Sequence, residues 1–257
     1  MTTADVLLWV AYPYICLTLL VGGMVWRWRT DQFGWTTRSS QLYEKPILRA
    51  ASPTFHLGFL AVIGGHFVGL LVPKTWTAAV GIPQHVYHLT ATIGGSVAAL
   101  ATVLGLAGLL YRRFAVRSVT LATTTRDKVM YVLLVLPVAL GTWATVANQV
   151  LGGPEGYDYR ETISPWLRSV LTFSPHPQLM TAVPLSFRLH VLAGFALFAI
   201  WPFTRLVHAV TIPVQYPTRP YIVYRARRAS VSAAAGRRGW APVQRSADRD
   251  GARSRGA

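Results

Sequence analysis

Four runs free of Asp, Glu, Lys and Arg dominate the chain: Val6 to Val25, Phe55 to Val72, Leu89 to Leu110 and Val129 to Leu151. A helix of roughly 18 or more apolar residues crosses a hydrocarbon core of about 30 Å, so each run predicts a membrane span. A fifth run, Leu189 to Thr204, is shorter, but Arg188 and Arg205 bracket it. Their long stems let the charged heads reach the two interfaces, which predicts a helix from Pro184 to Ile212. The pattern therefore predicts an all-α integral membrane bundle of five transmembrane helices. The first run has no cationic residue before it and its first basic residue, Arg27, follows it, so it reads as a retained helix and not as a cleaved signal peptide. From Ala226 onward the chain turns to Ala, Gly, Ser and Arg, a composition that cannot bury enough surface to fold alone. The expected organisation is a membrane domain over residues 1–228 and a basic, disordered cytoplasmic tail over 229–257, lying against anionic lipid or serving a partner.

Composition supports this and adds direction. The chain has 257 residues, of which 52% are apolar and only 13% charged, about half the charged share of a soluble domain. The formal net charge of +16 raises nucleic acid as a partner, but the basic residues lie between apolar runs and not on one soluble face, so no nucleic acid is expected. They are also unevenly shared between the two membrane faces. Arg27, Arg29, Arg38, Lys45 and Arg49 follow the first run, Arg112, Arg113, Arg117, Arg126 and Lys128 follow the third, and ten arginines follow Arg205. On the other side stand only Lys74, Arg160 and Arg168. The positive side is cytoplasmic, which places the N-terminus outside and the C-terminus inside, as a multi-pass protein of the cell (cytoplasmic, or inner) membrane. With Cys16 as the lone cysteine there is no intramolecular disulfide and no Cys-only iron–sulfur or structural zinc site, so any metal centre must use other ligands.

Histidine is the candidate. His56 and His66 fall in the second run, His190 and His208 in the fifth. An imidazole in hydrocarbon costs several kcal/mol unless it finds a partner. Helix-packing hydrogen bonds or a proton relay in a small transporter are two outlets. Coordination of two b-type haems, each between two imidazoles, is the third, and it suits electron transfer because it leaves no open position on iron. The second and fifth helices run in opposite directions, so equal depth pairs His56 with His208 near the cytoplasmic face and His66 with His190 further out. Straight helices leave a mismatch: the separations of ten and eighteen residues rise about 15 and 27 Å. Gly64, Gly65 and Pro202 are the positions where the backbone has room to adjust. Gly65, beside His66, admits a flat macrocycle close to the main chain. Arg188 and Arg205 precede His190 and His208 by two and three residues, where a guanidinium would meet a haem propionate. His85, Tyr87 and His88 lie at the outer mouth of the third helix. There an imidazole would bond a quinol oxygen and take its proton; the alternative is an interfacial aromatic belt. His176, between two prolines, reads as an ordinary loop residue.

The run Phe187-Arg-Leu-His190 through Pro202-Phe-Thr-Arg-Leu-Val-His208, then Ile212-Pro-Val-Gln-Tyr and Thr218-Arg-Pro-Tyr, resembles the cytochrome b (gamma) subunit of membrane-bound respiratory nitrate reductase. Phe55-His56, Gly65-His66-Phe67 and Thr123-Thr-Thr resemble it too, and the likeness covers about residues 4 to 228. It implies a five-helix anchor that oxidises quinol (menaquinol or ubiquinol) on the outer side. Electrons would pass through two b haems to the iron–sulfur clusters of a beta subunit, and on to a molybdopterin-containing alpha subunit that reduces nitrate. By this resemblance His56 and His208 match the inner haem ligands, His66 and His190 the outer, and Gly65 a glycine packed near the outer haem. The family's lysine at the start of the third helix has no counterpart: Val86, Tyr87 or His88 stands there, depending on register. The nearest rival is a diheme cytochrome b anchoring a formate dehydrogenase or hydrogenase.

Overall fold

The computed structural model describes residues 2–31, 35, 42–152 and 156–210. Among these every regular element is helical. Five helices are long and apolar enough to cross a membrane: α1 (Thr3–Thr30), α2 (Pro46–Leu71), α3 (Gln84–Ala115), α4 (Thr125–Val150) and α5 (Leu185–Phe203). The five predicted spans are all present. The helices overrun the apolar runs by several residues at most ends because capped and charged termini continue the backbone into the interface. The anticipated boundary at 228/229, the basic tail and the Ile212 to Tyr221 part of the family motif lie outside the described residues.

Capping chemistry sets where several helices begin. Thr2 and Asp5 close a reciprocal capping box on α1, and Thr124 and Asp127 do the same on α4. Pro46 occupies the first turn of α2, where its missing N–H is no loss. Ahead of it, Glu44 accepts from the N–H groups of Ile47 at 2.6 Å and Leu48 at 3.3 Å. The same carboxylate pairs with the buried Arg112 of α3, which also donates to the Glu44 carbonyl at 2.7 Å. Burial opposes the charge on Glu44, but the Ile47 N–H and Arg112 outweigh it and hold its pKa below the ordinary value of 4.5.

In lipid, helices associate through close packing and not through exclusion of water. α2 and α3 meet on such a seam. A Cβ on Gly105 would lie 2.3 Å from the Phe55 nitrogen, one on Gly58 2.7 Å from the Thr102 nitrogen, and one on Gly108 2.8 Å from the Ala51 Cβ. Each distance is below any that a real Cβ tolerates, so glycine is required for this approach. Elsewhere the deepest packing involves a segment that spans nothing. The short helix Ile163–Leu171 places Trp166 (1% exposed) against Trp9 of α1 and Phe195 of α5, and the Trp166 indole donates to the Trp9 carbonyl at 3.0 Å.

One expectation needs correction. The fifth span is not a single helix to Ile212: its α-helical part ends at Ile200, Trp201–Phe203 is a 3-10 turn, Thr204 is extended, and Arg205–Val210 is a second 3-10 stretch. Pro202 is the cause, since it has no N–H to continue the ladder and its ring obstructs the preceding turn. The break is held from outside. Arg27 of α1 donates through Nη1 to the carbonyls of Pro202 at 2.6 Å and Thr204 at 2.8 Å. A Cβ on Gly23 would lie 2.8 Å from the Pro202 Cβ, while Gly22 beside it faces open space.

Two outcomes follow. Gly23→Ala should lower stability by about 1–3 kcal/mol, because neither Pro202 nor the helix can yield. Gly22→Ala should be neutral or stabilising by up to about 1 kcal/mol; thermal midpoints in detergent compare the two. Because the folded pKa of Glu44 is depressed, its contribution is present above pH 4.5 and fades as pH falls through the folded value. Acid unfolding should therefore steepen below that pH in the natural chain and less so in Glu44→Gln, followed by helical circular dichroism.

Candidate metal centres

The chain brings its four span histidines together in two pairs. The His56 and His208 ring centres are 6.2 Å apart, and those of His66 and His190 are 5.8 Å apart. These are the two pairings that equal depth predicts. The expected height mismatch is absorbed at the Pro202 break: His208 sits on the Arg205–Val210 stretch, beyond the end of α5, and not on a straight continuation of it.

The hydrogen bonds define the chemistry available. His56 Nδ1 lies 2.7 Å from the Ser52 carbonyl, His66 Nδ1 2.8 Å from that of Val62, His190 Nδ1 2.9 Å from that of Pro137, and His208 Nδ1 2.5 Å from that of Arg205. A carbonyl oxygen only accepts, so each Nδ1 carries a proton, and in the neutral ring Nε2 is the nitrogen with the lone pair. All four rings are thus set in the tautomer that ligates through Nε2, with the backbone as the supporting shell. Two imidazoles bound to opposite sides of one metal ion have ring centres about 6 Å apart, from bonds of about 2.0 Å and about 1.1 Å from nitrogen to ring centre. Both observed separations fit that spacing.

Surroundings differ between the pairs. His56 and His66 are exposed along α2, whereas His190 and His208 are half-buried. A Cβ added at Gly64, Gly65 or Gly194 would meet nothing within 4 Å, so the backbone next to His66 and one turn after His190 borders open space. Gly141 of α4 has the opposite role: a Cβ there would lie 2.8 Å from the Cε1 of His190. With the Pro137 carbonyl, Gly141 makes α4 the wall against which the His190 ring is oriented.

The two flanking arginines part company. Arg205 forms a two-point ion pair with Asp127, Nε to Oδ1 at 2.7 Å and Nη2 to Oδ2 at 3.2 Å. Arg188 is half-buried, and its Nε is buried without a hydrogen-bond partner among the described residues, so it retains a donor for an acidic group. Sequence reasoning missed Asp127, Gly141, Pro137 and Arg27. A signal existed for Asp127: it is a lone acid in a basic loop, three residues after Thr124 and just before an apolar run, the spacing of a capping box.

At the opposite end of the bundle the 156–161 segment folds over the start of α3. The Arg160 guanidinium lies 3.9 Å from the Tyr87 ring centre and donates to Thr77 Oγ1 at 3.0 Å. His88 packs against Gly156, whose φ of +56° suits glycine, and whose absent Cβ would lie 2.6 Å from the His88 Cε1. His85 is exposed. Burial and a hydrogen bond with Tyr87 push the Tyr159 phenol well above its ordinary pKa, so it stays protonated. Lys74 is bound by Asp158 at 2.8 Å and Glu161 at 2.6 Å, which raise its pKa.

Comparison with known proteins identifies the family. The family model described as nitrate reductase gamma subunit matches residues 5–227. The chain is 42% identical over 221 residues to the nitrate reductase gamma chain of Bacillus subtilis, covering 86% of this chain and 98% of that one. It is 34% identical over 218 residues to the respiratory nitrate reductase 2 gamma chain of Escherichia coli, covering 84% and 95%. It is also 50% identical over 234 residues to the nitrate reductase-like protein NarX of Mycobacterium tuberculosis, covering 91% of this chain but only 36% of NarX. The chain thus spans about a third of NarX and nearly the full length of the gamma chains. With its five spans and its matched length, the chain belongs to the nitrate reductase gamma subunit family.

Proposed function

We propose that the chain is the membrane anchor and quinol-oxidising cytochrome b subunit of a respiratory nitrate reductase complex, in the cytoplasmic membrane with its N-terminus outside. The observation that carries this reading is the double meeting of imidazoles, His56 with His208 and His66 with His190, at ring-centre separations of 6.2 and 5.8 Å. Among the described residues no three His, Cys, Asp or Glu side chains gather as a metal site. Two imidazoles meeting without a third protein ligand fit b-type haem, whose porphyrin would supply the remaining donors to iron. Held between these rings, two haems would carry single electrons from quinol to the iron–sulfur clusters of a beta subunit, serving a molybdopterin alpha subunit that reduces nitrate.

The protein's own groups supply the rest. Gly65 and Gly194 leave room for a flat ring beside the outer pair, and Arg188 offers a buried donor for a propionate. Quinol, menaquinol or ubiquinol, binds at the outer end of α3, where His88 accepts a proton, Tyr87 forms the aromatic wall and His85 marks the edge. Tyr159, held protonated, does not compete for that role. Protons leave outside while electrons move inward, so each charge separated is worth roughly 2.3 kcal/mol per 100 mV. Beta-subunit docking falls to the exposed Lys45, Arg49, Arg117, Arg126 and Lys128 and to the segment from Tyr216 to Arg228, the last outside the described residues. Arg27, Arg112 and Arg205 are engaged within the chain instead.

The purified complex should contain about two b haems per chain, measured by pyridine haemochrome. Replacing His66 or His190 with Ala should leave about one and abolish quinol oxidation; a full haem complement in either variant would refute the ligand assignment. For the quinol site, His88→Ala should lower quinol oxidation at least tenfold, with His85→Ala weaker in effect. Unchanged quinol oxidation and inhibitor binding in both variants rejects that placement.

A further inference from the structure

The two imidazole pairs are secured by different means, and the difference singles out Asp127. His190 sits within the regular helix of α5, so the helix itself fixes its height, and the Pro137 carbonyl of α4 fixes its ring. His208 is placed by other means. It follows the Pro202 break, on a stretch whose backbone begins anew at Arg205. The His208 ring donates to the carbonyl of Arg205, and the Arg205 side chain is gripped at two points by Asp127, whose own side chain is only 5% exposed. Asp127 is fixed in turn. Its carboxylate accepts from the Thr124 N–H at 2.9 Å, and its own N–H donates to Thr124 Oγ1 at 3.3 Å, which locks it at the start of α4.

We propose that Asp127 is a positioning residue for the inner imidazole pair: through Arg205 it anchors the main-chain carbonyl that orients the His208 ring toward His56. This rests on the reading of His56 and His208 as haem ligands. Asp127 touches neither ring; it acts by tying the stretch that carries His208 to the cytoplasmic end of α4. Its other role, the capping box, involves Thr124 and is separable by mutation. A residue that merely stabilised the bundle would affect both pairs alike, whereas the Asp127–Arg205–His208 chain of contacts reaches only one of them.

The test uses the assembled membrane complex, with haem content, redox difference spectra and the low-spin electron paramagnetic resonance signals as readouts. His56→Ala and His66→Ala complexes identify which signal belongs to which haem. Asp127→Asn should remove or broaden the inner-haem signal, with haem falling from two toward one per chain, and leave the outer signal intact. Asp127→Glu should restore part of the inner signal, because it keeps the charge that holds Arg205. Thr124→Ala, which removes the Oγ1 half of the cap but keeps the Thr124 N–H to Asp127 and the ion pair, should retain both signals. The proposal is overturned if Asp127→Asn leaves both signals unchanged, if it abolishes both together, or if Thr124→Ala reproduces the selective loss. A natural complex with no b haem would instead defeat the ligand reading itself, and this inference with it.

Discussion

A hydrogen bond from Nδ1 to a main-chain carbonyl is the interaction on which this molecule depends. Hydrocarbon offers an imidazole no water, so one ring nitrogen must find its partner inside the protein. All four span histidines find it in a carbonyl, two on their own helix one turn earlier, one on the preceding residues of a 3-10 stretch, and one on a neighbouring helix. Because a carbonyl accepts and never donates, this common choice puts a proton on Nδ1 and makes Nε2 the lone-pair nitrogen of each neutral ring. The cost of placing polar rings in lipid and the orientation of those rings have a single answer.

The bundle is built around that requirement. The α2–α3 seam, closed by Gly58, Gly105 and Gly108, holds the helix that carries His56 and His66. α4 contributes a carbonyl and a glycine to His190, and a carboxylate to the stretch that carries His208. The non-spanning segment with Trp166 wedges between α1 and α5 and binds the end of α2 through the Leu70 carbonyl, which accepts from Ser164 and Arg168.

Much of this was legible in the sequence. Span number and type followed from charge-free runs, because the thickness of a bilayer imposes a length that composition must honour. The pairing of His56 with His208 and His66 with His190 followed from antiparallel helices and equal depth. Where the reading stopped, the reason was tertiary. Pro202 was visible as a point of adjustment, but the extent of the break depends on Arg27 and Gly23, which lie about 175 residues away in the chain. Arg205 read as the partner of a haem propionate because the acid it meets in the fold, Asp127, belongs to another helix. The basic side was read by counting residues, yet Arg27 and Arg112 fold inward and bind the chain itself, something a charge count does not reveal. Membership in the nitrate reductase gamma family favours that reading over a formate dehydrogenase or hydrogenase anchor.

The interruption at Pro202 also separates the mechanics of the two ends. A bilayer that thins or thickens changes the tilt of a spanning helix as a rigid rod. His190 rides on that rod, whereas His208 lies past the discontinuity, moored to its neighbours by Arg27 and Asp127. Lipid strain should therefore be felt at the His66–His190 pair and largely filtered out at the His56–His208 pair, which lets the latter keep a constant geometry across membranes of differing thickness.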